Sequence, residues 1–301
     1  TDTKTLAHLL KYDTAYGHYD LDVSFDEKNL IVDGKKIPVY AEKDPTQLPW
    51  GKLKVDVVLE CTGRFTKKED AEMHIKAGAK KVIISAPAKG GGVPTYVMAV
   101  NSDGVKKEKA NVINNASCTT NCIAPVMAVL EEKFGIEKAM MSTIHGYTAD
   151  QNLQDGPHKD LRRARAAAEN IVPTTTGAAK AVGEAIPKLQ GIFDGVAFRV
   201  PVPTCSLSDI TAILKKSVTK EEVNEALISA SKSARFEGVL AVTDEPLVSS
   251  DFVGNTYSSI VDLSLTNVVG GNMVKVVAWY DNECGYAHRL VEMAAEFHVK
   301  K

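Results

Sequence analysis

The 301-residue chain has no apolar run near the roughly 18 residues that a membrane-crossing helix requires, so no helical span is expected. Neither charge sign dominates. Lys and Arg number 36 against 38 Asp and Glu, which leaves no composition-level case for a nucleic-acid surface or an acidic tail. Cysteine is scarce: the five, Cys61, Cys118, Cys122, Cys205 and Cys284, form an odd set without a signal-like segment before them. That fits a reducing compartment, and the chain reads as cytoplasmic. The Cys118-x-x-x-Cys122 pair finds no second closely spaced Cys or His pair to complete a metal site, so no metal is expected. Internal repeats, low-complexity tracts and Ser/Pro linkers are also absent, and none of the 21 glycines falls in a G-x-G-x-x-G dinucleotide fingerprint.

What is present argues for two packed units. The length exceeds that of one typical compact domain, and 44% hydrophobic with 25% charged residues is ordinary globular composition. "TDTKTLAHLL" (1–10) has Asp2 or Thr3 to cap a helix, and Asp33-Gly34 inside "NLIVDGKKIPVY" predicts a hairpin. "VDVVLECTG", the helical "KKEDAEMHIKAGA" closed by Gly78, "KKVIISAPA" and "ANVINNAS" alternate short buried strands with a helix or loop, the pattern of a parallel sheet with crossovers. After Cys118 the strands are longer and partly alternating, as in "AMMSTIHGYT", "SSIVDLSLTNVV" and "MVKVVAWYDNE", with Gly270-Gly271-Asn272 turning a hairpin. The expected fold is α/β: a parallel-sheet domain over 1–117 and an α+β domain with a mixed or antiparallel sheet over 118–281. An amphipathic helix over 282–301, with Leu290, Met293 and Ala294 on one face, is expected to pack back on the first domain.

"ASCTTNC" (116–122) places capping residue types just before a helical apolar stretch, so Cys118 should sit at a helix N-terminus. The unpaired N–H groups there favour a thiolate, so a lowered thiol pKa is expected. His145, ending an apolar strand, is the candidate base. Cys122, one turn deeper, reads as structural. His8, His74, His288 and His298 fall in predicted helices, and His18 and His158 in polar loops.

"ASCTTNC", "STIHGYTADQ", "IVPTTTGAAKAVG", "FRVPVPT" and "WYDNECGY", in this order, resemble phosphorylating glyceraldehyde-3-phosphate dehydrogenases. The resemblance covers essentially the whole chain. It implies that Cys118 attacks an aldehyde to give a thiohemiacetal, that His145 takes its proton as the bond is oxidised by NAD, and that inorganic phosphate releases the thioester as an acyl phosphate. Thr148 and Arg199 match the family's substrate-phosphate site. Ser117, Thr119, Thr176 and Gly177 match its inorganic-phosphate site. Lys43, Thr62, Gly63, Ser85, Asn282 and Tyr286 match cofactor positions, with Asn282 on the nicotinamide carboxamide. The resemblance also implies glyceraldehyde 3-phosphate as substrate and a homotetramer.

Three departures accompany it. The fingerprint unit of the family lies upstream of the position matched by Thr1, so the resemblance implies a Rossmann-type domain incomplete at its N-terminus ahead of a catalytic domain over 118–281, and a polypeptide beginning at Thr1 is expected to bind NAD weakly. Cys284 stands where the family usually has tryptophan, which the sequence does not explain. The basic "DGPHKDLRRARAAAEN" resembles the family's loop between subunits and reads as contacts and solvated charge, with nucleic acid not expected. The competing functions are an erythrose-4-phosphate dehydrogenase, which uses the same thiol and histidine, and a non-catalytic scaffold that lacks cofactor binding.

Overall fold

A computed structural model describes residues 1–298. The first helix, Thr3–Lys11, is capped by Asp2, whose carboxylate accepts from the Thr5 amide at 2.9 Å. It lies against a three-stranded antiparallel sheet, Val23–Phe25, Asn29–Val32 and Lys35–Pro38. Asp33 and Gly34 join the last two strands with φ of 48° and 73°. Two consecutive left-handed residues make the turn whose twist suits a two-residue hairpin, and Asp-Gly tolerates it.

Beyond it, Val57–Glu60, Lys81–Ile84 and Val112–Asn114 form a three-stranded parallel sheet. The helix Lys68–Lys76 makes the first crossover and buries Ala71 on Val58 and Val82. The other sheet face meets the last helix, Cys284–Phe297. Its Leu290, Met293 and Phe297 pack on Ile83, Val105 and Ile113. That helix starts at Cys284 and not at residue 282, because Asn282 and Glu283 belong to the turn that the Asp281 carboxylate holds by accepting from the Glu283 and Cys284 amides. Residues 299–301 of the expected helix lie outside the described residues.

The larger unit is an eight-stranded mixed sheet. Val172–Thr175, Phe193–Val200, Ile136–Gly146, Ser206–Leu214, Met273–Tyr280, Ser259–Asp262 and Leu240–Thr243 follow one another across it, and Asn267–Val269 pairs with Met273–Tyr280. Period-two alternation sorts its residues. Ala139, Met141, Ile210, Ala212, Val274, Val276 and Ala278 go into one core beneath the helices Cys118–Phe134, Ala178–Ala185 and Lys220–Ser231. Ile144, Leu207, Thr211, Val196 and Phe198 share the opposite, half-exposed face. Gly195 is needed where two strands run unusually close: a Cβ there would stand 2.5 Å from the Met141 carbonyl oxygen. This pairing, Phe193–Val200 parallel to Ile136–Gly146, sets the register on which the site depends.

Candidate active site

Cys118 is the first residue of the helix Cys118–Phe134. Ser117 caps that helix, its hydroxyl accepting from the Thr120 amide at 3.1 Å. The sulfur lies half-buried, 3.5 Å from Nε2 of His145. His145 is the second-last residue of its strand, and the parallel register sets Arg199 directly beside it. On the other side, Tyr280 turns its ring edge-on to the imidazole, 5.9 Å between centroids. The Tyr280 hydroxyl also joins those of Thr119 (2.9 Å) and Thr143 (2.8 Å), fixing the first helical turn to the sheet. A helix start and a strand end are thereby tied together at the thiol.

The proton on the imidazole follows from its neighbours. Nη1 of Arg199 lies 2.7 Å from Nδ1 and 3.2 Å from the Gly146 carbonyl, and a guanidinium can only donate. With Arg199 there, Nδ1 accepts and the ring proton sits on Nε2, toward the sulfur. Nδ1 also lies 2.7 Å from that same carbonyl, a contact that becomes a hydrogen bond only in the other tautomer. Burial first, and Arg199 second, lower His145 from 6.5 to about 4. Burial also pushes the Cys118 thiol above its ordinary value, against the Arg199 charge and the Thr119 amide, which act downward. This corrects the expectation of a lowered thiol. The helix terminus does favour the thiolate, but the cost of removing the charge from water is larger here. Both shifts act toward the neutral forms of the thiol and the imidazole.

The matched phosphate residues fall into two groups around the thiol. The Thr176 hydroxyl accepts from the Ala178 amide at 3.2 Å, and Gly177 precedes the helix Ala178–Ala185. That turn reaches the catalytic helix through the Thr120 hydroxyl, 3.4 Å from the Ala178 carbonyl. Ser117, Thr176 and Gly177 therefore sit where two helix N-termini converge, whereas the Thr119 hydroxyl is engaged inward with Tyr280. Arg199 and Thr148 lie on the His145 side. Thr148 follows the strand by two residues, with its amide 3.3 Å from the Gln151 side chain.

Of the cofactor positions, Asn282 is buried and its Oδ1 accepts from the Ser206 hydroxyl at 2.9 Å, which leaves its amide N–H groups to a ligand. Ser206 in turn accepts from the Gly146 amide at 3.2 Å. The Tyr286 hydroxyl donates to the Ala116 carbonyl at 3.0 Å, beside the thiol turn. Thr62 and Gly63 follow the first parallel strand, and Ser85 joins them by donating its amide to the Glu60 carbonyl at 3.0 Å. Lys43 stands apart, exposed in the loop after the hairpin and not bonded to these residues. The orienting residues Tyr280 and Ser206 were missed, although the alternation of "MVKVVAWY" already places Tyr280 on the same face as Val276 and Ala278. In the basic loop, Arg165 pairs with Asp155 at 2.8 Å and Arg163 with Asp150, so two of its four Lys and Arg side chains are matched locally.

Residues 117–282 match the model of the glyceraldehyde 3-phosphate dehydrogenase C-terminal domain, and residues 1–68 match that of the family's NAD binding domain. The chain belongs to the glyceraldehyde-3-phosphate dehydrogenase family. A glyceraldehyde-3-phosphate dehydrogenase of Geobacillus stearothermophilus is 58% identical over 98% of this chain and 88% of its own length. Relatives of the same name from Priestia megaterium and Streptomyces coelicolor are each 55% identical, over 98% and 97% of this chain and 87% of their own lengths. An NAD-dependent oxidoreductase of this family is accordingly built here on a Rossmann-type parallel sheet and a mixed-sheet domain.

Proposed function

We propose that the protein converts glyceraldehyde 3-phosphate and inorganic phosphate to 1,3-bisphosphoglycerate, with Cys118 as nucleophile and His145 as its acid–base partner. The observation that carries the reading is the sulfur 3.5 Å from Nε2 of an imidazole whose other nitrogen faces Arg199 at 2.7 Å. An anion that draws Arg199 away lets Nδ1 donate to the Gly146 carbonyl, which frees the Nε2 lone pair for the thiol proton. The thiolate then adds to the aldehyde carbon, and the resulting oxyanion takes a proton from His145. Returned to neutrality, His145 removes that hydroxyl proton as the carbon is oxidised. Bound NAD supplies the two-electron acceptor that makes the adduct a thioester. Inorganic phosphate attacks the thioester carbonyl, the carbon–sulfur bond breaks, and the acyl phosphate leaves.

Thr148 and Arg199 would hold the substrate phosphate, and Ser117, Thr176 and Gly177 the attacking phosphate, with Thr119 offering its backbone amide because its hydroxyl faces Tyr280. Two converging helix N-termini suit an anion. For the cofactor, Asn282, its Oδ1 engaged by Ser206, has N–H groups to offer a carboxamide oxygen. Tyr286, Thr62, Gly63, Ser85 and Lys43 would line the remainder. We divide the chain between an NAD-binding domain over 1–117, with the C-terminal helix, and a catalytic domain over 118–281, and infer a cytoplasmic enzyme. The half-exposed face carrying Phe198, Ile144 and Leu207 supports a homotetramer, which light scattering would contradict by finding a monomer.

The test is turnover of glyceraldehyde 3-phosphate with NAD in the presence and absence of phosphate or arsenate, together with mass spectrometry of the quenched enzyme. A phosphate requirement and an acyl adduct on Cys118, lost in Cys118→Ser, are expected. Turnover indifferent to phosphate, as an erythrose-4-phosphate dehydrogenase would show, or an unmodified Cys118, refutes the proposal.

A further inference from the structure

Outside the thiol site, one buried cluster of titratable groups takes no part in the chemistry above. Glu60 ends the first strand of the parallel sheet and is 3% exposed. Its Oε1 accepts the Thr62 amide at 2.8 Å and also the Thr62 hydroxyl, and its Oε2 lies 2.8 Å from Nε2 of His74. His74, buried on the crossover helix, has its Nδ1 3.0 Å from the indole nitrogen of Trp50. An indole N–H can only donate, so Nδ1 must accept and the ring proton must lie on Nε2, aimed at the carboxylate. Each of these groups donates to Glu60, and together they favour the ionised carboxylate, which accepts at both oxygens. Burial acts to raise its carboxyl, but His74 and Thr62 outweigh it and hold the group below its ordinary value.

The consequence falls on the turn that follows. Both Thr62 donors point back at Glu60, and the Thr62 hydroxyl oxygen accepts from the Arg64 amide at 3.2 Å. Three successive residues are thus shaped by one carboxylate. Between them Gly63 takes φ of 70°, with nothing within 4 Å of where a Cβ would stand, so its outward face is open. The Glu60 carbonyl also receives the Ser85 amide, tying in the neighbouring strand end.

We propose that Glu60, held by His74, whose tautomer Trp50 fixes, is a positioning residue that sets the Thr62–Gly63 turn for the dinucleotide. It rests on reading Thr62 and Gly63 as cofactor contacts. The relay makes a prediction that bulk packing does not. In Glu60→Gln the new amide can still accept from Thr62, but its N–H group faces the Nε2 proton of His74, and Trp50 prevents the ring from exchanging tautomers. Adding Trp50→Phe releases Nδ1. The ring can then carry its proton there and accept from the Gln amide.

Calorimetric titration of the full chain with NAD should give a Kd about tenfold weaker for Glu60→Gln, with kcat within about twofold of wild type. Trp50→Phe alone should be mild, and Glu60→Gln/Trp50→Phe should recover most of the affinity. In ¹⁵N spectra, His74 of the wild type should be the Nε2–H tautomer and should change only in the double variant. An Nδ1–H tautomer in the wild type, or a double variant weaker than Glu60→Gln, overturns the relay. Gly63→Ala separates the two ideas. If it weakens NAD while Glu60→Gln does not, the turn stands as a cofactor contact and Glu60 has no positioning role; if neither changes Kd, the cofactor reading of the turn falls as well.

Discussion

Acid should destabilise this fold through one residue, His145, by an amount that can be worked out. The ring is 3% exposed and is held at about 4, whereas an unfolded histidine titrates at 6.5. Because the folded value is the lower one, the unfolded chain binds the extra proton first. The contribution of the neutral imidazole is present above 6.5, falls as pH drops through the interval, and is lost below about 4, where both states are protonated. The whole gap corresponds to roughly 3 kcal/mol. Between about pH 7 and about pH 4.5 the loss is about 2 kcal/mol. Urea unfolding at those two pH values, in wild type and in His145→Gln, isolates it. Other carboxylates and histidines titrate in both proteins and cancel. Cys118 contributes nothing in this window, since burial raises its thiol. The wild type should lose about 2 kcal/mol more than the variant on acidification. Arg199→Gln should shrink that loss without abolishing it, because burial is the larger cause and the guanidinium the second. Equal pH dependence in wild type and His145→Gln would refute a buried neutral imidazole.

Two further outcomes follow from the same contacts. Tyr280→Phe removes the shared partner of the buried Thr119 and Thr143 hydroxyls and should cost about 1–3 kcal/mol in thermal unfolding; adding Thr143→Val should cost less than the sum of the single changes, and strict additivity would count against the shared hydroxyl. Alkylation of Cys118 by iodoacetamide at neutral pH should speed up when a non-reacting phosphomonoester is added, and a rate independent of it would remove Arg199 from control of the thiol.

Much of the fold was legible because its signals are local. Asp33-Gly34 announces a turn that needs two positive φ values, and Ser117 announces a helix cap through its own hydroxyl. The alternating strands around His145 and Tyr280 also announce their buried faces. What was not legible depends on partners far apart in the chain. Glu60 and His74 meet only because a crossover helix folds over a strand end, and Arg199 reaches His145 only through a parallel register 54 residues apart. The thiol misled for the same reason. Its helix terminus is written in seven residues, but the burial that outweighs it comes from a sheet assembled by the rest of the chain. Lys43, matched by resemblance alone, sits exposed and makes none of the contacts that hold the other site residues.

The pull of Cys118 and His145 toward their neutral forms has a mechanistic meaning that follows from where Arg199 stands. Moving the proton from sulfur to Nε2 creates a negative charge at Cys118 and a positive one on the ring. A fixed cation favours the first and opposes the second, each in inverse proportion to distance. The guanidinium is 2.7 Å from the ring, and the sulfur lies on the ring's far side, 3.5 Å beyond Nε2. The nearer repulsion wins, so Arg199 in its observed place opposes the ion pair even as it favours a lone thiolate. A phosphate that engages the guanidinium removes the larger opposing force and frees Nδ1 for the Gly146 carbonyl. If Arg199 takes the substrate phosphate as proposed, substrate charge and thiol ionisation are coupled through one side chain, and the thiol stays in its less reactive form until an anion binds beside it.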